Sequence, residues 1–288
     1  MKKKSKLKTF LNITIFIVIT AIVLYFTLKD NFHEVINGIL SANPLWILLA
    51  LVFVCGYWFF KSLIFYNFTR KFKKNYKFKK AFKLQLITNF FNAITPFSSG
   101  GQPFQVYALK KQGVEIIDAT NIIIENFIVY QIALVLLGLI SIGANNIFHI
   151  FKDASILKQL VTVGFIINTL VIIGLFIIAF GKKINKWIVN HLISLLGKLK
   201  IIKNKEKSTE KWNEYINNFH NGANLLVSNK KEFIKMILYA FLALVCLYIT
   251  PVVLLYSTGD YTSFNALLSI VSCSYVMLIG SFVPIPGG

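Results

Sequence analysis

The chain has 288 residues, is 56% hydrophobic, and carries 31 Lys+Arg against 11 Asp+Glu for a formal charge of +20; its mean hydropathy is +0.66. A transmembrane helix needs ~20 consecutive apolar residues. Several runs of that kind exclude an ordinary soluble domain and point to an all-α, polytopic helical membrane protein. A charge of this size also fits nucleic-acid binding, but the lysines cluster beside the apolar runs, which is the signature of membrane topology.

The pattern predicts about six spans: Phe10–Leu28, Leu45–Phe65, Asn121–Gly143, Leu160–Phe180, Phe233–Tyr256 and Phe264–Phe282. The first follows Lys2, Lys3, Lys4, Lys6 and Lys8. It is longer than the ~7–15 apolar residues of a signal peptide and reads as an uncleaved anchor. Lys61 sits near the inner end of the second span and is expected to snorkel to the interface.

Residues 70–83 form a basic-aromatic stripe: Arg70, Lys71, Lys73, Lys74, Lys77, Lys79, Lys80 and Lys83 among Phe72, Tyr76, Phe78 and Phe82. Such a stripe enforces topology, and it also attracts anionic lipid. Segment 84–111 then reads as a re-entrant hairpin. In its first half, Gln85, Thr88, Asn89 and Asn92 fall at i, i+3, i+4 and i+7, one helix face. Pro96 stops that half-helix, Gly100 and Gly101 bend the chain, and Pro103 restarts it. The backbone amides near Gly101–Gln105 are expected to stand bare at mid-membrane depth, where a helix N-terminus attracts phosphate. Ser98, Ser99 and Gln102 would add hydrogen bonds. The charge pattern supports the hairpin: with the N-terminus cytoplasmic, the inner segments carry five cations in 1–8, eight in 70–83, two at 110–111 and twelve in 182–235. A single crossing at 84–111 would put the last group outside.

In the third span, Glu125 lies one turn beyond Asn121. Intramembrane acids are functional candidates, here as a partner for an ammonium headgroup or a proton site. Asn126 and Gln131 are weaker candidates, because polar side chains also hold helices together. In the loop 181–232, Trp212, Tyr215, Ile216, Phe219, Ala223 and Leu226 recur at helical spacing. They predict an amphipathic helix, lying on the inner surface or packed under the bundle. The sixth span runs into a second break, Pro284-Ile285-Pro286-Gly287-Gly288. Backbone breaks at membrane depth are tolerated where they are buried in protein or line a cavity, and a pair of them marks a substrate site in transporters. The chain reads as one domain over 1–288, truncated at its C-terminus. Cys55, Cys246 and Cys273 lack C-x-x-C partners, and His33, His149, His191 and His220 are scattered; no metal or cofactor is expected.

Together, Asn92-Ala93-Ile94-Thr95-Pro96-Phe97-Ser98-Ser99-Gly100-Gly101-Gln102-Pro103-Phe104-Gln105, Ile124-Glu125 and Pro284-Ile285-Pro286-Gly287-Gly288 resemble the lysylphosphatidylglycerol synthase transmembrane family. That family is the flippase-like membrane region of the multiple peptide resistance factor. Its Glu is often followed by Arg; Asn126 stands here. The resemblance implies a multi-pass plasma-membrane bundle with re-entrant helices that moves anionic or aminoacylated phospholipid, such as lysyl-phosphatidylglycerol, between leaflets. The lipid-binding residues would be Asn89, Asn92, Pro96, Ser98, Ser99, Gly100, Gly101, Gln102, Pro103, Glu125, Pro284, Pro286, Gly287 and Gly288. The alternative is phosphatidylglycerol lysyltransferase activity, with lysyl-tRNA as donor, whose soluble catalytic domain is not visible in this chain. A third reading is a scaffold for a separately encoded synthase or glycosyltransferase; a separate synthase domain or a second copy of the chain, as a homo-oligomer, is an expected partner.

Overall fold

The computed structural model describes Tyr25, Lys29 and residues 32–95, 99–152, 154–198 and 205–283. The described residues are all-α: α1 (Phe32–Ser41), α2 (Pro44–Phe72), α3 (Phe78–Ala93), α4 (Gly101–Lys111), α5 (Ile116–Phe148), α6 (Ser155–Phe180), α7 (Lys182–Lys198), α8 (Lys205–Val227), α9 (Lys230–Ser257) and α10 (Ser263–Gly280). Five of them, α2, α5, α6, α9 and α10, are long and apolar enough to cross a membrane. They match the last five expected spans. The expected first span lies outside the described residues except for Tyr25.

Local chemistry sets the helix ends. The Asn43 side chain accepts from the Leu45 N–H, and Pro44 occupies the first position of α2, where a missing N–H costs nothing. Asn229 caps α9 by accepting from the Lys231 and Glu232 amides. Gly113 turns the chain between α4 and α5 at φ +82, in the left-handed region that glycine enters freely. There the Val114 N–H returns to the Leu109 carbonyl.

α5 is the central column, packed against α2, α4, α6, α8, α9 and α10, and the most extensive pairing joins α2 to α9. Lipid tails are as apolar as Leu, so apolar burial alone does not drive helices together in a bilayer; close backbone approach and polar clasps do. Both are present. A Cβ on Gly56 would lie 3.1 Å from Cys246 Sγ, and one on Gly164 would lie 2.7 Å from the Leu278 carbonyl oxygen. The Asn168 amide donates to Leu278 O at 3.2 Å and to Ser281 Oγ at 2.7 Å, while its oxygen accepts from Gln131 Nε2 at 3.2 Å. One side chain thus ties α5, α6 and α10. Outward faces, such as Leu48, Val52, Ile140, Leu170 and Ile173, stay exposed and apolar, as a lipid-facing surface requires.

α3 begins at Phe78, so Lys79, Lys80 and Lys83 form its first turns rather than a preceding loop; lysine is a good helix former. α7 and α8 form an antiparallel pair under the bundle. α8 buries Ile216, His220, Gly222, Ala223 and Leu226. A Cβ on Gly222 would lie 2.3 Å from Asn121 Nδ2 on α5. Ile216, Ala223 and Leu226 of the expected stripe pack against the bundle, while Trp212 and Tyr215 are exposed. His220 is 3% exposed and sits 3.2 Å from Asn185 Nδ2 on α7. Burial lowers its pKa, as do Lys182 and Lys186; its bond to the Ala179 backbone acts the other way. A further exposed apolar face lies on α7, where Ile184, Trp187, Ile188, Leu192 and Leu195 are all exposed.

A polar cavity at the tip of the helical hairpin

α3 and α4 run antiparallel. Phe91 stacks on Phe104 with centroids 4.3 Å apart, and Gln105 Nε2 donates to Gln85 Oε1 at 3.3 Å, both residues buried. Lys73 Nζ donates to the Gln112 carbonyl, so the chain enters and leaves the hairpin at the same end, beside the lysines of α2, α4 and α9.

The two tip glycines are required by close approach. A Cβ on Gly101 would lie 2.2 Å from Asn92 Oδ1 and 2.6 Å from Thr88 Cγ2; one on Gly100 would lie 2.5 Å from Thr95 Cγ2. The gap they leave lets α3 cap α4. The Gly101 N–H donates to Asn92 Oδ1 at 2.9 Å, and the Gly100 N–H to Thr95 Oγ1 at 2.8 Å. The Phe104 N–H returns to Gly100 O at 3.5 Å, and Pro103 has no N–H. This differs from the bare row of amides expected between Gly101 and Gln105. Unpaired backbone donors are costly away from water, and Asn92 and Thr95 meet that demand from within the hairpin.

Beside the tip lies a cavity of about 450 Å³, within the range of small-molecule sites. The hairpin contributes Gln85, Thr88, Asn89, Asn92, Gln102 and Gln105; α5 contributes Asn126, Tyr130 and Gln131; α6 contributes Asn168; the end of α10 contributes Gly280 and Ser281. The polar face from Gln85 to Asn92 therefore does line a cavity. Its level is central. Gln131 lies near the middle of the 33-residue α5 and Asn168 near the middle of the 26-residue α6.

The structure does not bring every candidate together. Glu125 is 0% exposed, but it sits on the face of α5 opposite Asn126, Phe127 and Tyr130 and does not line the cavity. Both its carboxyl oxygens, and both side-chain polar atoms of Asn121 one turn earlier, are buried without a hydrogen-bond partner. Ser99 and Pro103 are exposed and are absent from the lining. Pro96 and Ser98, and the second break with Pro284, Pro286, Gly287 and Gly288, lie outside the described residues. Gly280 and Ser281, a few residues before that break, do reach the cavity.

Sequence reasoning missed Lys61, Asn168 and Ser281. Lys61 does not snorkel to the interface: it lines the cavity, and its Nζ donates to the Tyr57 hydroxyl at 3.0 Å. The available signal was its depth. Arg70 is nine residues further along α2, so Lys61 lies ~14 Å from that basic end, near half the ~30 Å hydrocarbon thickness.

Neither a curated protein nor a solved structure matches the chain. The family described as the lysylphosphatidylglycerol synthase TM region matches over residues 13–288. With a polytopic helical bundle and that match over nearly its whole length, the chain belongs to the lysylphosphatidylglycerol synthase TM-region family.

Proposed function

We propose that the chain binds a phospholipid headgroup in the cavity beside the hairpin tip and carries it between the leaflets of the plasma membrane, with the hairpin entering from the cytoplasmic side. The observation that carries this reading is the cavity itself. Six polar residues of the hairpin face it together with Asn126, Gln131 and Asn168, at the level where a bilayer offers no water. A polar cavity at that level lowers the barrier that a headgroup meets in hydrocarbon. Gln102 Oε1, buried and without a partner, is an acceptor for a headgroup hydroxyl or amine. Asn89, Asn92 and Gln102 are the contacts we assign, with Gly100 and Gly101 shaping the tip.

Reconstitution into liposomes tests this reading. A fluorescent phospholipid in both leaflets is bleached from outside by a membrane-impermeant reductant. Loss of fluorescence beyond the outer-leaflet fraction, dependent on the protein, is the expected result. Bleaching that stops at the outer leaflet at every protein density would refute transfer.

A further inference from the structure

Lys61 is the one charged residue of α2 between Pro44 and Asn67. A helical side chain leans toward the N-terminus of its helix, which here carries the ammonium away from the basic end. Its Nζ lies 5.0 Å from the Tyr57 ring centroid and 5.7 Å from that of Tyr130, and bonds the Tyr57 hydroxyl. Rings and a hydroxyl hold a cation in place. They do not neutralise it. Among the described residues the ion pair is Lys71 with Glu232, far from this site, and no carboxylate reaches Lys61. Lys61 is also the sole Lys, Arg, Asp or Glu in the described cavity lining. The cavity therefore presents one positive charge among neutral amides, in surroundings where Coulomb attraction is several times stronger than in water.

We propose that Lys61 pairs with a charged phosphate oxygen of the bound headgroup, so that the cavity takes net-anionic phospholipids in preference to zwitterionic or cationic, aminoacylated ones. This rests on reading the cavity as a headgroup site and narrows it. A net-anionic headgroup leaves the Lys61–phosphate pair as the dominant charge interaction, whereas a zwitterionic one brings an ammonium of its own beside Lys61. An aminoacylated headgroup brings ammonium groups into a cavity whose one charge is already positive, and like charges at close range in a poorly screened site repel. The Tyr57 hydroxyl and the two rings position the ammonium against the open volume rather than the helix surface.

The test uses the full chain, in lipid nanodiscs for binding and in sealed liposomes for transfer, with fluorescent phosphatidylglycerol, phosphatidylcholine and lysyl-phosphatidylglycerol as probes. A charge-assisted contact is expected to give phosphatidylglycerol roughly a tenfold or greater preference over the other two. Lys61→Gln keeps a polar tip and is expected to bring that preference to about twofold or less, with Lys61→Arg retaining most of it. Lys183→Met, on the exposed face of α7, should leave it unchanged. Lys61→Met is the second cation-free variant, and thermal unfolding of each variant separates loss of selectivity from loss of fold. Inorganic phosphate at millimolar concentration is the competitor. Displacement of bound phosphatidylglycerol from wild type is the expected result; saturable phosphate binding by a chain that binds none of the lipid probes would make the anion a free phosphate and end the lipid assignment. If wild type binds and moves lipid without regard to headgroup charge, or if folded Lys61→Gln and Lys61→Met keep the preference, the role of Lys61 is overturned while the headgroup reading stands. If no lipid binds or moves, that reading fails first.

Discussion

Gly101→Ala is the sharpest test of the hairpin tip. The added Cβ would lie 2.2 Å from Asn92 Oδ1 and 2.6 Å from Thr88 Cγ2, both far inside contact distance. Asn92 must swing away, which breaks the 2.9 Å bond from the Gly101 N–H and costs about 1 kcal/mol. Thr88 cannot follow easily, because its hydroxyl is tied to the Leu84 carbonyl at 2.8 Å; overpacking of this kind costs about 1–3 kcal/mol. Alanine's better helix propensity returns up to about 1 kcal/mol. The net expectation is a destabilisation of about 1–3 kcal/mol. Reversible unfolding of the purified chain in mixed micelles, titrated with denaturing detergent, measures it. The double variant Asn92→Ala with Gly101→Ala should lose less than the sum of the singles, because Asn92 supplies both the bond and half of the clash. A Gly101→Ala protein within about 0.5 kcal/mol of wild type, with additive effects in the double variant, would mean that α3 and α4 do not approach as described.

Single cysteines at Lys83 and Gln112 should react with a membrane-impermeant thiol reagent from the same side of sealed vesicles, since Lys73 and Gln112 meet at one end of the hairpin; labelling from opposite sides would sink the re-entrant placement. Glu125→Gln should leave the unfolding midpoint equal to or above that of wild type, because a buried carboxyl without any partner gains nothing from charge and loses little as its amide isostere; a drop of more than about 1 kcal/mol would reveal a partner for the carboxylate. For His220, whose pKa is lowered from 6.5 mainly by burial, the unfolded chain binds the extra proton first as pH falls. The stability of α7 and α8 should therefore be complete above about pH 6.5 and decline below it toward the folded value. Limited proteolysis between these helices, compared across that range, should accelerate on the acid side, and a His220→Asn chain should lose most of the dependence.

The spans were legible because period and length suffice for them: runs of ~20 apolar residues have few other readings. The turn between α3 and α4 was legible from its prolines and glycines. The internal capping was not, because whether Asn92 faces a ligand or the Gly101 amide depends on a separation of two helices that no spacing encodes. The same holds for Lys61, where depth along a span was visible but the direction of the side chain was not. Glu125 presents the converse. Its depth marked it, yet the rotation of α5 that aims Asn126 and Tyr130 at the cavity turns Glu125 away by most of half a turn. For α8 the period predicted a helix but left two placements open, and its stripe divides, with Ile216, Ala223 and Leu226 buried and Trp212 and Tyr215 exposed; the lysine-flanked stripe of α7, with exposed Trp187, follows directly on the end of α6.

The Asn168 clasp sets an order of assembly. Its two bonds to α10 join residues separated by 110 and 113 positions. At ~5–20 residues per second, α6 waits roughly 5–20 s in the bilayer before those acceptors are made. During that interval its amide has the Gly164 carbonyl, 2.7 Å away in its own helix, and the Gln131 side chain. The early bundle is thus chemically tolerable but open along one seam, and the arrival of α10 latches it shut.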